Sequence, residues 1–128
     1  MIQEITKQDW KQFFDDLTKR RFEWQTKVEV FSKGFGHQIL DEGLLLVGIT
    51  AERRGDKTVI EVIVGEDADH HQEHNIENPL KINYESEEGE SGGIVDIEEE
   101  NGTKTLIHII KAMPLEIEYR KTEGIVAA

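Results

Sequence analysis

Two apolar runs joined by a short polar turn constrain the fold of this chain more than any other stretch. The runs cover residues 44–51 and 58–64, and residues 54–57 (Arg-Gly-Asp-Lys) lie between them. β-branched residues are common in both runs, and Gly55-Asp56 is typical of a chain reversal. Both alternating faces of the first run are apolar, which indicates a strand covered on both sides. The sequence therefore predicts a buried hairpin at the centre of the fold.

An amphipathic pattern near the N-terminus predicts one helix. Thr6 is the expected N-cap, with Asp9 three residues later, and Ile5 and Trp10 occupy the two positions of a hydrophobic staple. The apolar side chains at helical spacing form one stripe, made of Trp10, Phe13, Phe14 and Leu17. A stripe of this kind is far more typical of a helix that covers a sheet than of a ligand pocket.

Alternating patterns predict the strands. They cover residues 22–31, 37–40, 80–85, 94–100 and 103–112, with a last short edge strand at Leu115, Ile117 and Tyr119. Turns are predicted at residues 34–36 and 41–43. No second helical pattern is present to cross between parallel strands. The expected fold class is α+β in a single domain, residues 1–128: an N-terminal amphipathic helix packed on a curled, mostly antiparallel β-sheet or partly closed barrel.

The clearest of these hairpins turns at Asn101-Gly102, the strongest two-residue turn signal available. A two-residue turn places Glu100 opposite Thr103, and therefore Val95 opposite His108. This register predicts that His108 lies on the apolar face of the sheet. A single histidine in such a position is more often a hydrogen-bonded core residue than a catalytic group.

The composition excludes several classes of function. Lys and Arg total 15 against 27 Asp and Glu, and the formal net charge of -12 argues against nucleic acids and membrane surfaces as partners of this acidic protein. The absence of cysteine excludes disulfides and thiolate chemistry. A cytoplasmic location is expected, since no signal segment and no apolar run of about 20 residues is found.

The most polar stretch of the chain, residues 66–74, carries candidate metal ligands. It offers the imidazole and carboxylate groups that zinc, nickel or manganese can use without sulfur. The candidate ligands are His70, His71, His74, Asp67 and Asp69. The alternative interpretation is a solvated acidic loop. No cofactor is expected unless a divalent transition metal binds here.

No nucleophile elbow, phosphate-binding loop, paired zinc histidines or calcium loop is present. The leading hypothesis is therefore a non-enzymatic accessory or protein-interaction domain. Its expected partner is an unknown protein or a second copy, in a homodimer formed through a sheet edge or the helix face. The alternative is a small-ligand or metal-binding domain, enzymatic or not, that uses the acidic, histidine-containing loop 66–74.

Several different short motifs of core and turn residues are spread along the chain. They are Asp9-Trp10, Phe13-Phe14-Asp15, Trp24, Val28-Glu29-Val30, residues 44–49, Ile60-Glu61, residues 74–79, and Gly102-Thr103 ahead of Thr105-Leu106. Together they resemble a family of small uncharacterised bacterial proteins classed as a domain of unknown function, from about Glu4 to Ala112. The resemblance implies a compact bacterial domain and no particular activity.

Overall fold

The computed structural model describes residues 2–19, 24–67, 69–86 and 91–111. It contains a 3-10 turn (Lys7–Asp9), the helix α1 (Trp10–Lys19), and eight strands: β1 (Ile2–Ile5), β2 (Trp24–Ser32), β3 (Gly36–Arg54), β4 (Lys57–Gly65), β5 (His71–Glu77), β6 (Pro79–Glu85), β7 (Ser91–Glu99) and β8 (Lys104–Lys111). The strands form one antiparallel sheet of order β1-β6-β7-β8-β2-β3-β4-β5. The predicted α+β class is confirmed. The edge strand predicted at Leu115, Ile117 and Tyr119 lies outside the described residues.

The sheet is strongly curled. A single residue, Asn78, joins β5 at one end of the sheet to β6 near the other end. Two strands this far apart in the sheet can be joined so tightly only if the sheet bends until they are neighbours. The Glu100 backbone N–H donates to the Asn78 carbonyl at 3.2 Å, which extends the β6–β7 pairing by one residue. In the described part of the chain β1 and β5 each pair on one side only, so the hydrogen-bonded ladder is not closed.

Helix α1 packs on β3 through the predicted apolar stripe. Trp10 and Phe14 are buried, and Phe13 and Leu17 pack against the same core. The Trp10 indole N–H donates to the Ile5 carbonyl at 2.8 Å, which fixes the entry of the chain into the helix. Among the described residues no helix has the length and apolar content needed to span a membrane. The prediction of one amphipathic helix covering the sheet is thus confirmed.

The end of the β2–β3 pairing gives the helix its polar anchor. Among the described residues β2 pairs with β3 only as far as Gln25 opposite Leu45, whereas Ile49 pairs with Val62 of β4 on its other side. The Thr18 hydroxyl accepts the Ile49 N–H at 3.1 Å and donates to the Ile49 carbonyl at 2.7 Å. One side chain therefore hydrogen-bonds both backbone groups of Ile49 and ties the helix to the strand.

The predicted turn at residues 41–43 is wrong. Strand β3 runs without interruption through these residues, and its pairing with β2 shifts register on both sides of them. Gly43, at φ +94°, absorbs the extra residue, and the Asp41 carboxylate accepts the Leu44 backbone N–H at 3.0 Å. Turn-forming residues here produce a bulge inside one long strand. The predicted hairpin of residues 44–64 is confirmed, with Arg54 opposite Lys57.

The predicted register of β7 and β8 is wrong by one residue. The connection is a three-residue turn in which Gly102, at φ +89°, donates its N–H to the Glu99 carbonyl at 3.0 Å. Such a type I turn followed by a left-handed glycine replaces the expected two-residue turn. His108 consequently lies opposite Ile94 instead of Val95, on the face of the sheet away from the core. The expectation that His108 is a core residue is therefore wrong.

Candidate functional site

The candidate metal ligands predicted from the sequence divide into two groups. In the β4–β5 turn, Asp67 accepts the backbone N–H groups of Asp69 and His70 at 2.8 Å, and His70 Nδ1 lies 3.0 Å from the same carboxylate oxygen. The hydrogen bond with His70 lowers the pKa of Asp67. His71, at the start of β5, lies with its Nε2 4.0 Å from a Glu73 carboxylate oxygen. These contacts organise the turn at the surface.

His74 lies apart from the turn, half-buried in the middle of β5. Among the described residues, no group of three or more histidine, aspartate and glutamate side chains is placed to hold a metal ion. The structure thus brings Asp67, Asp69 and His70 together and separates His74 from them. Metal binding by this loop stays a prediction.

A small cavity on the core-facing side of strands β2 to β5 contains His74. We call it the inner pocket; its volume is about 190 Å³ and its lining residues are Val28, Leu40, Asp41, Val62, Val64, Gln72, Glu73 and His74. A wider groove of about 430 Å³ also borders His74 and reaches the β2–β3 and β7–β8 turns, where Lys33, Phe35 and Glu99 line it. We call the two cavities together the acidic groove, because Asp41, Glu73 and Glu99 outnumber Lys33 there.

Asp41 is the buried acid of this groove. Its side chain accepts the Leu44 N–H through Oδ1, while its Oδ2 is hydrogen-bonded to the Thr26 hydroxyl, itself 3.0 Å from the Leu44 carbonyl. Only 5% of Asp41 is exposed, and this burial raises the pKa of its carboxyl group. A carboxyl in this environment keeps its proton to a higher pH than an exposed aspartate does.

Burial has the opposite effect on the imidazole of His74. Desolvation of the charged form lowers the pKa of His74 from 6.5. At the mouth of the same groove, burial and the neighbouring Glu77 raise the pKa of Glu99. Titratable groups with shifted pKa values that converge on a cavity are a common property of binding sites.

A second polar cluster lies on the outer face of the sheet. The Glu29 carboxylate contacts His108 Nε2 at 2.5 Å and His37 Nε2 at 2.9 Å, so that one side chain of β2 bridges β8 and β3. The hydrogen bond with His108 is the main cause of the lowered pKa of Glu29. The Phe31 ring stacks on His37 with 4.5 Å between the ring centroids. These contacts cross-link three strands.

Exposed apolar side chains lie on both faces of the β2–β3 hairpin, and on one face they reach the acidic groove. We call this set the hairpin patch; it comprises Phe31, Phe35, Ile39 and Leu40, at and near the β2–β3 turn. These are four of the seven large apolar side chains that are exposed in the described residues, and Phe35 is 80% exposed. Phe35 and Leu40 line the cavities of the acidic groove, whereas Phe31 and Ile39 share the outer face with Glu29. Exposed apolar side chains at a cavity are typical of binding surfaces.

The buried imidazole predicts a pH dependence of stability. Because the folded-state pKa of His74 lies below 6.5, the unfolded chain takes up this proton first as the pH falls. The stabilisation is complete above pH 6.5 and is lost as the pH drops from 6.5 through the folded-state value. Urea unfolding between pH 7.5 and 5 should show a shallower decline for His74→Gln than for the wild type. Equal slopes would contradict a neutral buried His74.

Comparison with known proteins gives a family without an assigned activity. The model of a family of unknown function, DUF5335, matches residues 1–118. An uncharacterised protein of Aquifex aeolicus (strain VF5) is 32% identical over 111 residues, which cover 87% of this chain and 94% of that protein. No solved structure matches the chain with statistical significance. The arguments for function therefore come from the groove and the surface around it.

Proposed function

The chain belongs to the DUF5335 family of unknown function, and from this premise we propose that it is a non-enzymatic domain that binds a short segment of a partner protein in the acidic groove. The observation that carries this proposal is the part of the hairpin patch that lines the groove, Phe35 and Leu40. The Phe35 side chain is 80% exposed. An exposed aromatic ring beside a cavity is a typical anchor for a binding partner.

The charge of the groove specifies the chemistry of the partner. Glu73 and Glu99 line it beside the buried Asp41 and against one lysine, Lys33, and the whole chain has a net charge of -12. A cationic segment is attracted by this field, and an acidic segment is repelled. The partner is therefore a segment with apolar side chains for the hairpin patch and basic side chains for the groove.

The inner pocket favours a second candidate function, the binding of a free small ligand. Asp41 and His74 provide polar groups within apolar walls made by Val28, Val62 and Val64. The volume of about 190 Å³ lies below the several hundred Å³ of most cofactor and drug sites. The pocket suits one side chain, or a molecule of a few heavy atoms, better than a nucleotide-sized ligand.

Fluorescence anisotropy with synthetic peptides tests the proposal. Three peptide sets of equal length and apolar content carry Lys and Arg, Gln and Ser, or Asp and Glu at their polar positions. We expect the basic set to bind most tightly. Phe35→Ser should weaken its binding at least about tenfold, the loss typical of an aromatic anchor. Leu80→Ser is the matched control, since Leu80 on β6 is 65% exposed but lines neither cavity of the acidic groove.

Two results would contradict the proposal. Equal affinities for the three peptide sets would show that charge does not determine binding. Equal losses of affinity in Phe35→Ser and Leu80→Ser would show that the hairpin patch makes no specific contribution. Sedimentation velocity on the same samples identifies the other occupant that fits this surface. Self-association that Phe35→Ser abolishes, without peptide binding, would replace the proposed partner by a second copy of the chain.

A further inference from the structure

The inner pocket gives the proposed segment a specific anchor. We infer that it receives one lysine side chain of the bound segment, and that the lysine ammonium group displaces a proton from the Asp41 carboxyl group into solvent. This inference rests on the proposed function and names the side chain that the segment must contain. It is carried by the hydrogen-bond arrangement at Asp41 and by the shape and lining of the pocket.

The hydrogen bonds around Asp41 can accommodate one additional proton on its carboxyl group. The Thr26 hydroxyl has one hydrogen and two acceptors within reach, Asp41 Oδ2 and the Leu44 carbonyl. When Asp41 is ionised, the hydroxyl serves only one of them. When Asp41 carries a proton, its O–H donates to Thr26, Thr26 donates to the Leu44 carbonyl, and the Leu44 N–H donates to Asp41 Oδ1. The protonated form therefore completes a closed ring of hydrogen bonds.

A cation is the ligand that reverses this preference. Burial opposes ionisation of Asp41, and none of the described residues that line the inner pocket is a lysine or an arginine. The titratable groups that line it with Asp41 are Glu73 and His74 of β5; Glu42 follows Asp41 on β3, and β2 and β4 contribute valines. Glu42 and Glu73 disfavour an anionic ligand. A cation supplies the missing opposite charge, so that Asp41 ionises as the ligand binds.

The walls of the pocket select a lysine over a bare ion. Val28, Leu40, Val62 and Val64 form an apolar lining, which suits the four methylene groups of a lysine while its ammonium group reaches the acid. A pocket of about 190 Å³ holds a side chain of this size. A small inorganic cation would leave the apolar walls without a contact.

Butylamine, used as its ammonium form, reproduces the lysine side chain and tests the pocket directly. We expect it to shift the NMR signals of the Asp41 carboxyl carbon and the His74 imidazole, with an affinity at least about tenfold higher than that of butanol or butyrate. Asp41→Asn should weaken butylamine binding at least about tenfold. Glu4→Gln, which removes a carboxylate from β1 at a side chain that is 59% exposed, should change the affinity less than about twofold.

The released proton gives a second test that needs no variant. Below the pKa of Asp41, each increase of one pH unit should raise the affinity for butylamine by about tenfold. Above that pKa the affinity should no longer change with pH. Calorimetry in two buffers of different ionisation enthalpy should count one proton released per bound amine in the lower range. Proton uptake, tighter binding of butyrate, or a pH-independent affinity would overturn the inference.

Failure of this inference is distinguishable from failure of the proposed function. Basic peptides that bind wild type and Asp41→Asn equally, but not Phe35→Ser, would keep the groove as a peptide site and overturn the lysine pocket. Butylamine binding that depends on Asp41, together with no peptide binding, would leave a site for a free small amine and overturn the segment. A divalent metal ion that displaces butylamine from the pocket, together with no peptide binding, would overturn both.

Discussion

Replacement of Phe14 by alanine should lower the free energy of unfolding by about 3–5 kcal/mol. Phe14 is fully buried, and its ring makes an edge contact with Phe13 at 5.3 Å between the ring centroids. It lies where α1 closes one side of the curled sheet, so that its loss leaves a cavity in the core. The loss is a large part of the 5–15 kcal/mol that typically stabilises a domain. Urea unfolding followed by circular dichroism measures it.

Phe35→Ala is the matched control, because it makes the same chemical change at a side chain that is 80% exposed. We expect a change within about 0.5 kcal/mol. Equal effects at the two positions would show that α1 does not form part of the core. A small effect at Phe35 also establishes that binding defects at this residue do not arise from unfolding.

Gly93→Ala should be nearly as severe, with a loss of at least about 2 kcal/mol. Gly93 has φ +108°, a conformation that side chains of L-residues rarely adopt, and an added Cβ would lie 2.3 Å from the Glu85 carbonyl oxygen. The β6–β7 pairing holds the backbone in place, so neither the positive φ nor the close contact with Glu85 can relax easily. Thermal unfolding should show a fall in Tm of roughly 8 °C or more for a domain of this size.

Gly34→Ala provides the comparison for this glycine. An added Cβ at Gly34 meets nothing within 4 Å, and the residue does not have a positive φ. The substitution should leave Tm unchanged or raise it slightly, since alanine restricts the unfolded chain. A Gly93→Ala protein as stable as Gly34→Ala would show that the register shift before Gly93 relaxes easily.

The helix and strands that depend on the spacing of neighbouring residues are predictable from the sequence. The stripe from Trp10 to Leu17 has a helical period, and the central hairpin has two β-branched runs around a turn, so both were recognisable in the sequence. The four residues of β1 carry no such pattern. They form a strand because they pair with β6, which lies about 80 positions away in the sequence. The sequence predicts a turn where Asp41 and Gly43 form a bulge, because turns and bulges use the same residue types.

The predicted register of β7 and β8 is wrong for a different reason. Asn101-Gly102 fits both a two-residue turn and the last two positions of a three-residue turn, and the two alternatives exchange the faces of one strand. The burial of Val95 and Ile107 opposite each other decides between them. This signal was present in the sequence as matched apolar alternation in the two strands, and it outweighs the turn dipeptide.

The candidate site was predicted only in part. His74 was named from its histidine-rich surroundings, but the residues that give it a pocket come from β2, β3 and β4. Asp41 is one of 27 acidic residues, and nothing next to it in sequence distinguishes it. Its burial depends on the continuation of β3 through the bulge and on the curl of the sheet, which are properties of the whole fold.

The position of β2 in the sheet has a consequence for synthesis of the protein. One neighbour of β2 is β3, which follows it directly, but the other is β8, which ends at Lys111. A ribosome therefore releases β2 with one edge unpaired, and that edge stays open until the residues as far as Lys111 have emerged. The sheet can be completed only after translation of β8, by pairings of long sequence separation that form on the order of milliseconds to seconds. During this interval the high negative charge of the chain helps to keep nascent copies apart.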